Sequence, residues 1–163
     1  MPNWKPLLFS LLLVMSSGVP VSGQAGRIIL ETPWARATPP GAPTAAGYLT
    51  IRNAGAEPDR LLAAASPQAG RVELHETSIS GGVARMRPLP QGLEIASGQT
   101  IVLEPGGRHL MFSELDEGLK AGESVPVTLT FAEAGELHVE LPVVPIAAGP
   151  PSGGQGAGHG AGH

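Results

Sequence analysis

Arg108-His109-Leu110-Met111-Phe112-Ser113 is the stretch that decides the fold. Bulky apolar residues occupy every second position in it, and a period of two is typical of a strand with one face against a core. We expect Leu110 and Phe112 to point into that core. His109 and Met111 then share the opposite face with Ser113, and their Cα atoms lie about 7 Å apart. The segment therefore predicts a half-buried β-strand.

Eight further short segments have the apolar or alternating character of strands. Breaker clusters such as Pro39-Pro40-Gly41, Gly81-Gly82 and Pro105-Gly106-Gly107 separate several of them. No run of ten or more residues keeps a helical period, so we predict an all-β, Greek-key β-sandwich. The eight segments are residues 27–30, 46–53, 59–65, 71–78, 82–89, 100–103, 125–131 and 136–143.

The first residues have the pattern of a secretory signal. Lys5 precedes an apolar run from Leu7 to Met15, and small residues follow at Ser16 and Ser17. The run is too short to span a bilayer. We therefore expect residues 1–23 to be a signal peptide, cleaved somewhere between residues 23 and 25, and the protein to reach the periplasm without a stable membrane anchor.

Residues 24–147 are predicted to form one domain. The chain has ten Lys and Arg residues against fourteen Asp and Glu residues, and this balance argues against a nucleic-acid partner. Cysteine is absent, so a hydrophobic core must replace disulfides in an exported protein. We expect a monomer. His138 and the acidic residues Glu114, Asp116 and Glu117 are interpreted as solvated surface groups, and we expect no enzyme.

Residues 148–163 form a tail rich in Gly and Pro that cannot bury enough surface to fold. We expect it to be disordered. His159 and His163 could supply an auxiliary Cu(II) site, and a purely solubilising tail is the alternative.

Two methionines and two histidines form the candidate metal site. Once a signal is removed, Met86 and Met111 are the remaining methionines, and His75 and His109 lie at short intervals from them. Thioethers and imidazoles suit a soft ion such as Cu(I). Taken singly, a strand Met is usually a core residue and an outward His is usually solvated. Spacing alone therefore leaves both a metal site and ordinary packing open.

The array also carries a resemblance. His75-Glu76-Thr77, residues 82–88, residues 92–95 and residues 105–112 resemble the signature of the PCuAC family of periplasmic copper chaperones, with similarity from about residue 28 to about residue 143. The resemblance implies a cupredoxin-like β-sandwich that binds one Cu(I). It also implies delivery to the copper centre of a respiratory haem-copper (cytochrome c) oxidase, or exchange with another periplasmic copper chaperone. The ligands it implies are His75, Met86, His109 and Met111.

This chain departs from many members of that family near the site. Thr77 and Ala84 stand where such members carry further methionines, which leaves the four primary ligands intact. Arg85, Arg87 and Arg108 flank the ligands and are interpreted as solvated strand residues.

Other functions fit less well. A blue-copper electron carrier needs a Cys ligand, and a copper oxidase that uses its N-terminal amine would need His where the chain has Gln24 or Gly26. A Gly-x-Ser-x-Gly hydrolase motif is also missing from the sequence. The alternative hypothesis is a non-metallic β-sandwich module for interaction or assembly in the cell envelope.

Overall fold

The computed structural model describes residues 27–151, and this part of the chain is all-β, without a helix. No membrane-spanning helix is present among these residues. The strands are β1 (Ile28–Arg36), β2 (Thr44–Asn53), β3 (Asp59–Ala65), β4 (Ala69–Ser80), β5 (Val83–Pro88), β6 (Leu93–Ile95), β7 (Thr100–Leu103), β8 (Arg108–Leu115), β9 (Ser124–Phe131) and β10 (Gly135–Val144).

The strands form one sheet that curls into a closed sandwich. Their order is β5-β4-β8-β2-β1-β10-β9-β3-β6, and β7 pairs with β2. A further pairing of β3 with β4, at Ala64 and Val72, closes the structure. β1 and β10 pair in parallel, whereas the other pairs given for residues 27–151 are antiparallel. The prediction of an all-β sandwich is confirmed.

The core follows the alternation read from the sequence. Leu110 and Phe112 on β8 are 0% exposed, and Val72 and Leu74 on β4 are also buried. Full burial of a side chain of this size contributes about 1.5–3 kcal/mol, so these strands are fixed in register by what they bury. The opposite faces of β4 and β8 are thereby turned away from the core.

A bulge in β1 changes which of its residues face the core. Ile28 belongs to the core cluster and so does Ala35, although an odd number of positions separates them. The pairing with β2 shifts between Glu31 and Trp34, where Thr32 has a positive φ of 46°. Such an irregularity reverses the alternation beyond it. Trp34 and Arg36 consequently lie on the outer face, the face that His109 and Met111 occupy on β8.

The nine predicted segments all correspond to strands, and residues 59–65 and 100–103 match β3 and β7 end to end. β6 was not predicted, because three residues are too few to display a period. Leu93 and Ile95 are nevertheless buried in the core and anchor this strand beside β3.

Candidate metal centre

Neighbouring strands bring the four candidate ligands to one outer face of the sandwich. His75 on β4 lies directly opposite His109 on β8 and opposite Pro88 on β5. Met111 follows His109 by two residues and faces Glu73. Met86 precedes Pro88 by two residues and faces Thr77. The two histidines thus form one cross-strand pair. Along the strands, Met111 lies two residues to one side of this pair, and Met86 lies two residues to the other side.

The two imidazoles are spaced for a shared ion. Their ring centroids are 6.0 Å apart, with 22° between the ring planes. With a metal–nitrogen bond of about 2.0 Å, and about 1.2 Å from nitrogen to ring centroid, two imidazoles on one ion can have centroids up to about 6.4 Å apart. The observed separation lies within this limit.

His109 is oriented by its own backbone. Its Nδ1 lies 3.1 Å from the carbonyl oxygen of Gly107. A carbonyl only accepts, so Nδ1 carries the proton and donates it, and Nε2 keeps a free lone pair. A backbone carbonyl that fixes the tautomer in this way is the usual outer-shell partner of a metal-bound histidine.

One nitrogen of each imidazole is buried and unpaired. Within residues 27–151, neither Nε2 of His109 nor Nδ1 of His75 has a hydrogen-bond partner. Leaving a buried polar atom unsatisfied costs about 1–3 kcal/mol. A metal ion bound between the facing rings would satisfy both nitrogens and remove this cost.

The charge state of His109 also suits metal binding. Burial lowers the pKa of His109 below its ordinary value, and the nearby His75 adds to this, while the hydrogen bond to Gly107 opposes it. The neutral form, which is the form that binds metals, therefore persists to a lower pH than in a free histidine.

The thioethers border a shallow depression beside the histidines. Its volume is ≈ 360 Å³, and Met86, His109 and Met111 line it together with Thr77, Tyr48 and Arg36. His75 is not among the lining residues of this depression, and it lies one strand away, opposite His109. Met86 is 52% exposed, so it is not a core residue. Its sulfur is on the solvent side of the site, where an ion could enter and leave.

Strand alternation did not predict how deeply His109 is buried. His109 lies on the face opposite Leu110, as expected, and it is only 4% exposed. Pro105 and Gly106, in the loop before β8, and Tyr48 on β2 border the same depression as His109. Neighbours from other parts of the chain therefore bury a side chain that strand alternation alone places in solvent.

The flanking arginines lie mainly on the other face of the β4–β5 pair. Glu76 binds Arg87 at 2.8 Å and contacts Nε of Arg108 at 3.3 Å. The hydrogen bond from Arg87 and the charges of both arginines lower the pKa of Glu76 below its ordinary value, against an opposing effect of burial. Two of the three arginines that flank the ligands in the sequence are thus neutralised. Arg85 is exposed.

Tyr48 and Arg36 line the depression beside the candidate ligands but were not identified from the sequence as part of the site. Tyr48 and Arg36 belong to β2 and β1, and their position beside His109 and Met111 depends on strand order. Only the Trp34–Arg36 spacing of two hints at a shared face. The β1 bulge, which decides which face that is, has no clear signature in the sequence.

The remaining candidates contribute little. His138 is exposed and lies 3.0 Å from the Thr128 hydroxyl, in keeping with its interpretation as a surface residue. Glu114, Asp116 and Glu117 are exposed as well. In the described part of the chain, no three His, Asp or Glu side chains converge as metal ligands. His159 and His163, like the predicted signal peptide, lie outside the described residues.

Comparisons with known proteins agree with this architecture. The chain is 32% identical over 120 residues to the putative lipoprotein Lxx21020 of Leifsonia xyli subsp. xyli, covering 74% of this chain and 71% of that protein. The copper-bound PCuAC domain of PmoF2 superposes with a TM-score of 0.63 at 25% identity, covering 74% of this chain and 94% of that domain. CuI-DR1885 of Deinococcus radiodurans gives a TM-score of 0.58 at 31% identity, with 79% and 81% covered.

These neighbours confirm the fold implied by the sequence resemblance, since PCuAC domains share the cupredoxin-like sandwich. The family model described as putative lipoprotein LpqE-like matches residues 28–143, which begin at the first residue of β1 and end within β10. The chain belongs to the LpqE-like family.

Proposed function

We propose that this protein is a carrier that binds one Cu(I) ion through His75, Met86, His109 and Met111. The observation that carries the proposal is the pair of buried imidazole nitrogens, unpaired within residues 27–151, on rings 6.0 Å apart beside two thioethers. Copper is the cargo of such a protein, bound and later released.

The donor set favours a soft monovalent ion. Two thioethers and two neutral imidazoles bring no negative charge, so they suit Cu(I) better than they suit Mg²⁺ or Ca²⁺, which prefer oxygen. Neither thioether has a proton to lose, so the histidines alone make binding pH-dependent.

The accessibility of Met86 suits release as well as capture. A carrier must pass its ion to an acceptor. A metal ligand at the protein surface can be replaced by a ligand of the acceptor while the buried ligands still hold the ion. Met86 is 52% exposed whereas His109 is 4% exposed. We infer that Met86 dissociates first and that His109 holds the ion longest.

The comparisons support this assignment. Two similar structures are a copper-bound PCuAC domain and CuI-DR1885. For this chain we propose a periplasmic location after export, and delivery to the copper centre of a haem-copper oxidase or exchange with another copper chaperone. Such a carrier needs no catalytic residue, and we propose that it acts as a monomer.

X-ray absorption of the Cu(I)-loaded protein tests the ligand set directly. We expect two sulfur and two nitrogen neighbours around copper. His138→Gln provides a matched control, since it removes an exposed histidine outside the site and should leave the spectrum unchanged. A copper environment of only oxygen and nitrogen would contradict the proposal and favour the non-metallic envelope module.

A further inference from the structure

Arg36 lies beside the proposed copper ligands without belonging to them. Ala35 pairs with Gly47, and Met111 pairs with Ala46. Arg36 and Met111 are therefore on opposite sides of Ala46, one strand away in each direction, with backbones about 10 Å apart. Arg36 lines the same depression as Met111 and His109.

The charge of Arg36 is uncompensated within residues 27–151. Its Nε is buried and has no hydrogen-bond acceptor in this part of the chain. Its guanidinium carbon lies 5.7 Å from the centre of the Trp34 ring, a cation–π contact that helps to orient the group. The ion pairs in the described chain are instead made by other cations, namely Arg60, Arg87, Arg108 and Lys120.

Two residues that carry hydroxyl groups, Tyr48 and Thr44, line the same depression as Arg36. Burial raises the pKa of Tyr48 and outweighs the opposing charge of Arg36, so the phenol stays protonated and can donate a hydrogen bond. The depression is thus lined by soft metal ligands together with a cation and two residues that carry hydroxyl groups.

We propose that Arg36, Tyr48 and Thr44 form a binding subsite for a carboxylate group next to the metal ligands. The planar guanidinium donates two parallel hydrogen bonds, a geometry that matches a carboxylate. The hydroxyl groups supply further donors to the same oxygens. The carboxylate belongs either to a small free acid or to an acidic side chain of another protein.

Bound carboxylate also changes the electrostatics of metal capture, a consequence that rests on the proposed function. Arg36 repels an incoming cation, and a carboxylate on its guanidinium cancels that repulsion. Copper and carboxylate therefore bind with positive coupling, and by thermodynamic linkage each raises the affinity for the other by the same factor.

Acetate titration of the copper-free protein tests the subsite alone. The chain has two tryptophans, and Trp4 lies within the proposed signal peptide, so the mature protein has Trp34, in contact with Arg36, as its single tryptophan. At constant ionic strength we expect saturable quenching or enhancement with acetate and no comparable change with chloride. An equal response to chloride would overturn the carboxylate assignment.

Three substitutions in the mature protein complete the test. Arg36→Met keeps an unbranched stem over Trp34 and should weaken acetate binding about tenfold or more, since hydrogen bonds to charged groups contribute about 1.5–3 kcal/mol. Arg36→Lys keeps the positive charge but loses the two parallel donors of the guanidinium, and it should weaken acetate binding less than Arg36→Met does. Arg52→Gln, near the other end of β2, should bind like the parent. Unchanged affinity in both Arg36 variants would overturn the proposal.

The source of the carboxylate is decided by a second ligand. A blocked aspartate dipeptide that binds more tightly than acetate points to a protein side chain, whereas equal affinity points to a free acid. Repeating the acetate titration with Cu(I) measures the coupling. Acetate binding without coupling would leave the subsite standing and overturn the linkage, whereas acetate binding by a protein that fails to bind Cu(I) would count against the copper carrier, so failures of the two proposals are distinguishable.

Discussion

Nδ1 of His109 is 3.1 Å from the carbonyl oxygen of Gly107, two residues earlier in the chain. Because this contact places the proton on Nδ1, the buried Nε2 is the nitrogen available to a metal. A single backbone contact therefore sets both the tautomer of His109 and the direction from which an ion must approach.

The first prediction concerns the pH dependence that follows from this environment. The pKa of His109 is below its ordinary value of 6.5, chiefly because the ring is buried. The unfolded chain thus takes up a proton near that ordinary value, while the folded protein resists protonation until lower pH. Stability of the copper-free protein should fall across this window as pH decreases. Cu(I) affinity should weaken below the folded pKa, where protons compete for Nε2.

NMR of the histidine ring signals checks both parts. We expect the Nδ1–H tautomer for His109 at neutral pH and a midpoint below its ordinary value of 6.5. A His109 midpoint at or above 6.5, or the opposite tautomer, would contradict the role assigned to Gly107.

The second prediction separates the sulfur of each methionine from its packing. Met→Leu preserves size and apolarity, so unfolding free energy should change by less than about 1.5 kcal/mol. Even outer-shell partners are worth about 10–100-fold in metal affinity, so losing either sulfur should cost at least about tenfold. Competition with a Cu(I) chelator measures this for Met86→Leu and Met111→Leu. Ile79→Leu, another exposed residue on the β4–β5 hairpin, is the matched control and should bind copper like the parent.

The third prediction tests the ion pairs that Glu76 makes with Arg87 and Arg108. The pKa of Glu76 is lowered below its ordinary value of 4.5, so this carboxylate contributes stability above that pH and loses it as pH falls through the lowered pKa. Glu76→Gln should reduce the unfolding free energy at pH 7 by about 1 kcal/mol or less, since the arginines are largely exposed. In urea melts the difference between parent and variant should vanish in strong acid. A constant difference at every pH would assign the effect to packing.

The fourth prediction concerns the tail. Imidazoles without thioethers favour Cu(II) over Cu(I). Truncation after Ala147 should therefore leave Cu(I) affinity nearly unchanged and remove any weak Cu(II) binding by His159 and His163. Titrations with each oxidation state measure this. Loss of Cu(I) binding would mean that a tail histidine completes the main site.

Alternation was enough to predict most of this fold because the core strands are half buried. Leu110 and Phe112 point inward as expected, and nine of the strands were located from apolar spacing. The burial of His109 could not be derived in this way. It depends on Tyr48 and on the Pro105–Gly106 loop, whose positions follow from how distant strands pair.

The position of Arg36 beside the metal ligands could not be predicted from the sequence for a different reason. The bulge between Glu31 and Trp34 reverses the alternation of β1. A glycine in the sequence would have indicated a positive φ at this point, but the residue with the positive φ is Thr32. The resemblance to copper chaperones selected the four ligands, whereas residue spacing alone left them undecided. Which side chains surround those ligands became visible only with the register of β1, β2 and β8.

The last prediction concerns the cell. A carrier raises the rate at which scarce copper reaches its target, whereas abundant copper reaches the same target unaided. Deletion of this protein should therefore lower haem-copper oxidase activity at limiting copper and have little effect at high copper. A strain carrying His109→Ala and Met111→Ala should match the deletion, while a His138→Gln strain should match the parent. Oxidase activity measured across a copper series decides the matter. A defect that is absent at low copper, or that persists undiminished at high copper, would exclude delivery and favour the non-metallic envelope module, in which His109 and Met111 would form a protein-binding patch.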